Sequence, residues 1–326
     1  MPAEPPPRRI LVTGAGGFVG RHLMPALRQA FPAAVLLVTS REGQVAGADA
    51  LVPFDLLAPA AFPAMLAAAA PDAVLHLAAQ ANVPAAFAKP TATWRANVDG
   101  TLALAEAIRR DHPATRFVQV SSAEVYGLSF QAGVALAEDA ALAPANPYAA
   151  SKAAAEIALA EMALRGLRLL RLRPFTHVGP GQSPDYALAA FARQVALIQA
   201  GRQEPVMRTG ALDRWRDMLD VRDVCAAYVA ALARPEAVGN GAVLNIAGGE
   251  PRRLADAVAA LLALAGVRAD LRTEPARLRP TDVLRTQGDA GRARTLLGWA
   301  PAVPWETTLR DLLADWQGRV ASGAED

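Results

Sequence analysis

Tyr148 and Lys152 stand four residues apart in Asn146-Pro147-Tyr148-Ala149-Ala150-Ser151-Lys152. On a helix that spacing turns both side chains to one face. A phenol beside an ammonium is an acid–base device: the cation favours phenolate and lowers a pKa that starts near about 10. The tyrosine can then exchange a proton with a carbonyl oxygen. On an arbitrary helix the same pair would be an ordinary surface contact. The composition argues otherwise. Thirty-one of the 33 basic residues are arginine, and the two lysines are Lys89 and Lys152. A broad guanidinium does not replace a compact ammonium in a confined site, so a lysine surviving that bias reads as functional. Lys89, in Phe87-Ala88-Lys89-Pro90, has no such partner and reads as a solvated loop residue. Ser122, at the end of a strand-like run, can hydrogen-bond the reacting oxygen beside Tyr148. Glu124 can transfer protons or hold substrate hydroxyls. Asn97 can stiffen the site, relay protons through water, or simply bridge a helix to a sheet as a buried amide.

A second group of residues suits an anionic nucleotide. Gly14, Gly17 and Gly20 lie in Thr13-Gly14-Ala15-Gly16-Gly17-Phe18-Val19-Gly20, between the apolar run Ile10-Leu11-Val12 and an amphipathic stretch. A glycine triplet alone is weak. Between strand and helix it provides the tight turn, the close backbone approach to a pyrophosphate and the helix N-terminus that a dinucleotide needs. The end of the second strand separates the two nicotinamide cofactors. A carboxylate there would hold the 2′-hydroxyl of NAD. The chain instead reads Thr39-Ser40-Arg41, with Glu42 already past the turn. Arg41 can pair with a 2′-phosphate, Thr39 or Ser40 can donate to it, and Arg21 can add a second charge; the bland alternative for Arg41 is a solvated loop arginine. NADP(H) is the expected cofactor. Asp55, in Phe54-Asp55-Leu56, is placed to accept from the adenine amino group.

These groups need a scaffold, and the first half alternates short β-branched runs with helical stretches. Strands are expected at Ile10–Val12, Val35–Val38, Ala50–Phe54, Val74–Leu77, Phe117–Val120 and Leu167–Leu172. Helices are expected at Phe18–Ala30, Thr91–Arg110 and Tyr148–Leu164. Such alternation makes βαβ units, and continuous apolar strands fit a parallel sheet covered on both faces. The predicted fold is therefore α/β, a Rossmann-type doubly wound parallel sheet with a smaller discontinuous α/β cap. After Arg173-Pro174, loops rich in Pro, Gly and Arg separate longer helices. Asp220–Gly248 reads as one more helix and strand of the first unit. The expected division is residues 1–173 and 213–248 for the nucleotide unit, and 174–212 and 249–326 for the substrate unit, with Gly318–Asp326 fraying.

Composition excludes several classes. Of 326 residues, 53% are hydrophobic and 20% charged, which rules out a disordered or fibrous chain. A net charge of +2 with no one-sign block gives no support for nucleic-acid or membrane binding. The single cysteine, Cys225, excludes an internal disulfide and a cysteine metal cage; it reads as buried and inert. No His, Asp and Glu group has metal spacing. His22 and His112 read as structural or solvated, His76 as a packed core histidine, and Trp215 as a base-flanking or packing residue. The Met1–Pro7 leader, the early break at Thr13-Gly14 and the absence of a long apolar run imply a cytoplasmic protein.

Taken together, five motifs resemble the extended short-chain dehydrogenase/reductases that act on nucleotide sugars. They are the glycine loop, His76-Leu77-Ala78-Ala79, Asn97-Val98-Asp99-Gly100-Thr101, Ser121-Ser122-Ala123-Glu124-Val125-Tyr126-Gly127 and the Tyr148–Lys152 segment. The resemblance spans nearly the whole chain. It implies a cofactor site formed by Gly14, Gly17, Phe18, Val19, Gly20, Arg41, Asp55, Leu56, Leu77, Ala78, Ala79, Asn97, Tyr148 and Lys152. Ser122, Tyr148 and Lys152 are the implied catalytic residues. Arg173–Gln182, Arg216–Asp223 and Arg279-Pro280-Thr281-Asp282 are similar to the GDP-6-deoxy-D-mannose reductases and the related GDP-mannose 4,6-dehydratases. That similarity implies Pro174 and His177 along the nicotinamide, Arg216 and Arg279 on the sugar-nucleotide diphosphate, and Asp282 near the nucleoside. Ser122, Ala123, Glu124 and Thr176 complete the implied substrate site; the family pattern has asparagine where Thr176 stands. The implied reaction is NADPH-dependent reduction of the C4 keto group of GDP-4-dehydro-6-deoxy-D-mannose to GDP-D-rhamnose. The retained Glu124 leaves a dehydratase or epimerase as the alternative, and a non-catalytic NADP(H) sensor is the remaining class. Relatives of this kind pair through two helices from each copy, so a homodimer with a four-helix interface is expected.

Overall fold

The computed structural model describes residues 5–41, 43–278 and 282–324. From the N-terminus run β1 (Arg9–Thr13), α1 (Phe18–Ala30), β2 (Val35–Val38), β3 (Ala50–Leu51), α2 (Phe62–Ala69) and β4 (Ala73–His76). Next come α3 (Val83–Ala88), α4 (Pro90–Trp94), α5 (Thr101–Asp111), β5 (Arg116–Val120), α6 (Pro147–Leu164) and β6 (Arg168–Pro174). The remainder comprises β7 (Thr176–Val178), α7 (Ala187–Gln199), β8 (Val206–Thr209), β9 (Trp215–Asp220), α8 (Val221–Ala233) and β10 (Ala242–Ile246). It ends with β11 (Pro251–Arg253), α9 (Leu254–Ala265), β12 (Asp270–Thr273), α10 (Gly291–Leu297) and α11 (Trp305–Ser322).

Seven strands form one parallel sheet in the order β10-β6-β5-β4-β1-β2-β3. The order reverses between β1 and β4, and ligands of open α/β sheets bind beyond the strand C-termini at such a switch point. β1 ends at Thr13 opposite His76 of β4, so the glycine loop and Leu77-Ala78-Ala79 open onto the same crevice. Two cores flank the sheet. One joins Leu23, Leu27, Val118, Leu172 and Tyr228; the other joins Phe62, Leu66, Leu104, Phe117 and Leu159. A third core, around Phe191, Met218, Leu261, Leu312 and Trp316, belongs to the smaller unit.

The Rossmann-type reading holds, with β10 rejoining the large sheet as the segment 220–248 suggested. The unit boundaries move. β9 pairs with β7 and antiparallel with β11, so residues 215–220 sit in the small sheet rather than the nucleotide unit. Ala290, Ala293, Leu297 and Trp299 pack in the core around the large sheet, although they fall in the range expected for the cap. The helix expected over Thr91–Arg110 is three pieces: α4, a π-helical turn at Arg95–Gly100, and α5. At Gly100 the helix presses on Leu56, whose carbonyl oxygen would lie 2.6 Å from an added Cβ. β3 is shorter than expected, stopping at Leu51. The expected fraying from Gly318 is also corrected: α11 continues to Ser322, because Trp316 and Val320 are buried against α7 and α9. Among the described residues no helix is long and apolar enough to cross a membrane.

Candidate active site

α6 begins where Asn146, in extended conformation, accepts the Ala149 N–H at 2.8 Å, with Pro147 at the first helical position. This is the capping arrangement that lets a helix start without orphaned donors. It places Tyr148 in the first turn and Lys152 one turn on, both buried and both at the end of β5. The Lys152 ammonium donates to the Val120 carbonyl at 2.9 Å. Burial lowers its pKa to about 8, a fall opposed by the negative charge of Glu156.

Tyr148 departs from the simple expectation. Burial raises its phenol well above the ordinary value, and the hydrogen bond to Ser122 only partly offsets that; Glu124 and Tyr186 add to the rise. The phenol is thus held in its acid form, the state a proton donor needs. Ser122 sits in extended backbone, and its Oγ also accepts the Glu124 N–H at 3.2 Å. Glu124 is exposed and accepts from Asn146 Nδ2 at 3.0 Å. Ala123 is buried beside it.

The phosphate loop is equally constrained. Gly14 has φ +73°, and a Cβ there would meet the Ala78 backbone at 2.9 Å. A Cβ on Gly20 would lie 2.1 Å from the Ala15 carbonyl oxygen, which is how α1 packs so close to β1. The cradle fits a pyrophosphate: the only side chain in Gly14-Ala15-Gly16-Gly17 is the fully buried Ala15 methyl, and Phe18 and Val19 open the helix. Thr39 is buried, and its Oγ1 accepts the Gly14 N–H at 3.0 Å, so it supports the loop from beneath. Arg41 is exposed at the end of β2. Arg21 Nε donates to the Gly16 carbonyl at 3.1 Å. Asp55 is exposed and accepts the Leu57 N–H at 2.9 Å.

Opposite this loop, Pro174 ends β6 and His177 lies on β7, stacked on Phe18 at 6.1 Å between centroids and 3° between planes. Packing holds the His177 imidazole below its ordinary pKa, against the pull of the Phe175 carbonyl. Asn97 sits in the π-helical turn. It accepts the Gln80 N–H at 2.8 Å and donates to the Gln80 carbonyl and to Ser151 Oγ, each at 3.0 Å. Asn97 thus ties α6 to the loop after β4. A π turn re-aims side chains at functional sites in this way.

A pocket next to the start of α6 is lined by Val83, Phe87, Glu124, Asn146, Arg216 and Asp282. The Asp282 carboxylate accepts from Arg216, and from Arg214 Nε at 3.0 Å. Arg216 and Asp282 are thus brought together, Thr176 is exposed on β7, and Arg279 lies outside the described residues, as do Pro280, Thr281 and Glu42. Tyr186, Ser151 and Arg214 were missed. Ser151 was legible from its place between Tyr148 and Lys152; nothing local marks Tyr186, which reaches Tyr148 from the cap.

The quieter residues behave as packing. His76 is buried between Thr13 Oγ1 (2.8 Å) and Thr101 Oγ1 (3.0 Å), and burial plus the Lys152 charge lowers its pKa to about 3. Cys225 is buried on α8, its thiol pushed up to about 12 by burial. His22 contacts the Pro180 carbonyl at 2.8 Å.

Comparison with known proteins agrees with this geometry. The sequence model of the NAD dependent epimerase/dehydratase family matches residues 10–247. The chain is 37% identical over 315 residues to the GDP-6-deoxy-D-mannose reductase of Pseudomonas aeruginosa, covering 96% of this chain and 98% of that protein. Its fold is similar to the structure of RMD from Pseudomonas aeruginosa complexed with NADPH, at a TM-score of 0.84 and 34% identity, covering 96% and 98% of the two chains. The Thermus thermophilus UDP-glucose 4-epimerase complex with NAD matches at a TM-score of 0.82 and 27% identity, covering 95% and 99%.

Proposed function

Because the chain belongs to the NAD dependent epimerase/dehydratase family, the extended short-chain dehydrogenase/reductases, we propose that it is an NADPH-dependent reductase converting GDP-4-dehydro-6-deoxy-D-mannose to GDP-D-rhamnose. The observation that carries this reading is Tyr148, buried in the first turn of α6 beside Ser122 with the buried Lys152 ammonium one turn on. When bound, NADPH supplies the hydride. The chain's own residues do the rest. Ser122 orients the C4 carbonyl oxygen, Tyr148 gives it a proton, and the Lys152 ammonium stabilises the phenolate left behind. Arg216 takes the diphosphate, a role suited to a guanidinium fork, and Asp282 holds that arginine in place.

Incubating the purified protein with this keto-sugar and NADPH, then identifying the product, tests the assignment. GDP-D-rhamnose with matching NADPH consumption is expected. No consumption, or a keto-sugar formed from GDP-mannose alone, would favour the dehydratase reading instead.

Cofactor choice rests on Arg41. Arg41→Ala is expected to raise the Kd for NADPH about 10-fold or more while leaving NADH nearly unchanged, since a charge-assisted bond to a phosphate contributes roughly 1.5–3 kcal/mol. Equal weakening of both in a fluorescence titration would make Arg41 a surface charge only.

We also read the enzyme as a cytoplasmic homodimer. Ile157 and Leu164 of α6 and Trp94 of α4 are exposed apolar side chains that a second copy would cover. A sedimentation mass equal to one chain would refute the dimer.

A further inference from the structure

Glu156 is a fully buried carboxylate to which the acid–base chemistry above gives no task. It lies on α6 one turn after Lys152 and two turns after Tyr148, so the three occupy neighbouring positions on one helix face. Its two oxygens are heavily used. Arg173 grips them through Nε at 3.1 and 3.0 Å and through Nη2 at 2.7 Å, and Ser121 Oγ donates to Oε1. Ser121 precedes Ser122, and Arg173 precedes Pro174. One carboxylate therefore ties down the ends of β5 and β6 directly beside the residues assigned to the carbonyl and the nicotinamide. Arg173 is itself fixed by Tyr126 Oη (2.8 Å) and the Glu138 carbonyl (3.0 Å). Tyr126 in turn donates to Asn245 Oδ1 at 2.7 Å.

A buried ion pair is a weak source of net stability, because the cost of desolvation offsets much of the attraction. Its position suggests a different service. We propose that Glu156 is a positioning residue of the reaction: through Ser121 and Arg173 it anchors the strand ends that carry Ser122 and Pro174, one helical turn beyond Lys152 on α6. The inference rests on the assignment of Tyr148 and Lys152 made above.

The titratable and charged groups facing this cluster are His76 from β4, Lys152 and Tyr148 on the same helix, Arg171 and Arg173 from β6, Tyr126 from the segment after β5, and the buried Glu138 ahead of α6. His76 is neutral above about 3, and Tyr148 and Tyr126 are both raised above their ordinary values. Glu156 is the negative charge that opposes the fall of Lys152.

Three variants separate the roles. Glu156→Gln keeps the shape and removes the charge. Glu156→Gln with Arg173→Met removes both charges and leaves no unpaired guanidinium if the single variant folds poorly. Glu156→Asp keeps the charge and shortens the reach. For each, the pH dependence of kcat with the keto-sugar and of the NADPH Kd is measured. The alkaline limb is expected to move acidward by about one to two units in Glu156→Gln, by less in the double variant because the positive charge of Arg173 is lost with the carboxylate, and to stay near its wild-type position in Glu156→Asp. An unmoved limb in all three, with only lower melting temperature or uniformly lower kcat, would overturn the inference. The cofactor titration keeps the two readings apart. If the wild-type protein does not turn over the keto-sugar, the reductase assignment fails, while a shifted or unshifted NADPH profile still decides the role of Glu156.

Discussion

Replacing Tyr148 with phenylalanine is expected to lower kcat by about 10²–10⁴-fold, the usual contribution of a positioned acid, while the NADPH Kd stays within a few-fold. The hydroxyl is the only part removed. The ring remains packed against the sheet end, and the helix cap at Asn146 and the bridge from Asn97 to Ser151 do not involve the hydroxyl. The effect should fall on kcat rather than KM, because burial keeps Tyr148 protonated in the ground state and its proton is given up only as the carbonyl is reduced. Single-turnover oxidation of NADPH with the keto-sugar measures the step directly. Turnover unchanged from wild type would remove Tyr148 from the mechanism.

Lys152→Arg is expected to be nearly as damaging, with kcat falling about 10²-fold or more and NADPH binding weakened. The ammonium occupies a slot with only 5% exposure and meets the Val120 carbonyl at 2.9 Å. A guanidinium is wider and carries five donors, more than the Val120 carbonyl can accept. The same residue sets the pH dependence. Burial lowers Lys152 to about 8, so the charged form dominates below that value and is lost as pH rises through it. Wild-type kcat should therefore be highest below about 8 and decline above. Residual activity in Lys152→Arg should show no such decline, because guanidinium keeps its proton throughout. An arginine variant with the wild-type limb would assign that limb to another group.

Both effects concern residues visible in the linear chain, and the reason is local. Tyr148 and Lys152 share a helix, so one periodicity places them together. The glycine loop, the cap at Asn146 and the strand ends are likewise fixed by short-range sterics, which is why α1 begins at Phe18 and α6 reaches Leu164 as the pattern indicated. The scarcity of lysine added something no motif carries: it separated Lys152 from a field of arginines. Elsewhere short-range patterns misled. Thr91–Arg110 has an uninterrupted helical pattern, yet close packing of Gly100 on Leu56 accompanies a π turn there. The contact of Thr39 Oγ1 with the Gly14 N–H is another that no local pattern shows, since it joins the end of β2 to the glycine loop.

The sequence by itself determined the βαβ scaffold, the glycine loop at the mouth of α1, the placement of Tyr148 and Lys152 on one helix face and the presence of Arg41 rather than a carboxylate after the second strand. Each depends on residues within one element or one turn. The tertiary structure alone decided the burial of Tyr148 that raises its phenol, the coupling of Glu156 to Arg173, the pairing of Arg216 with Asp282 and the membership of β9 in the small sheet. Those depend on desolvation and on partners distant in the chain: Arg216 and Asp282 are 66 residues apart. A charge's energy in a fold is set by what surrounds it in space, and local order along the chain carries no record of that.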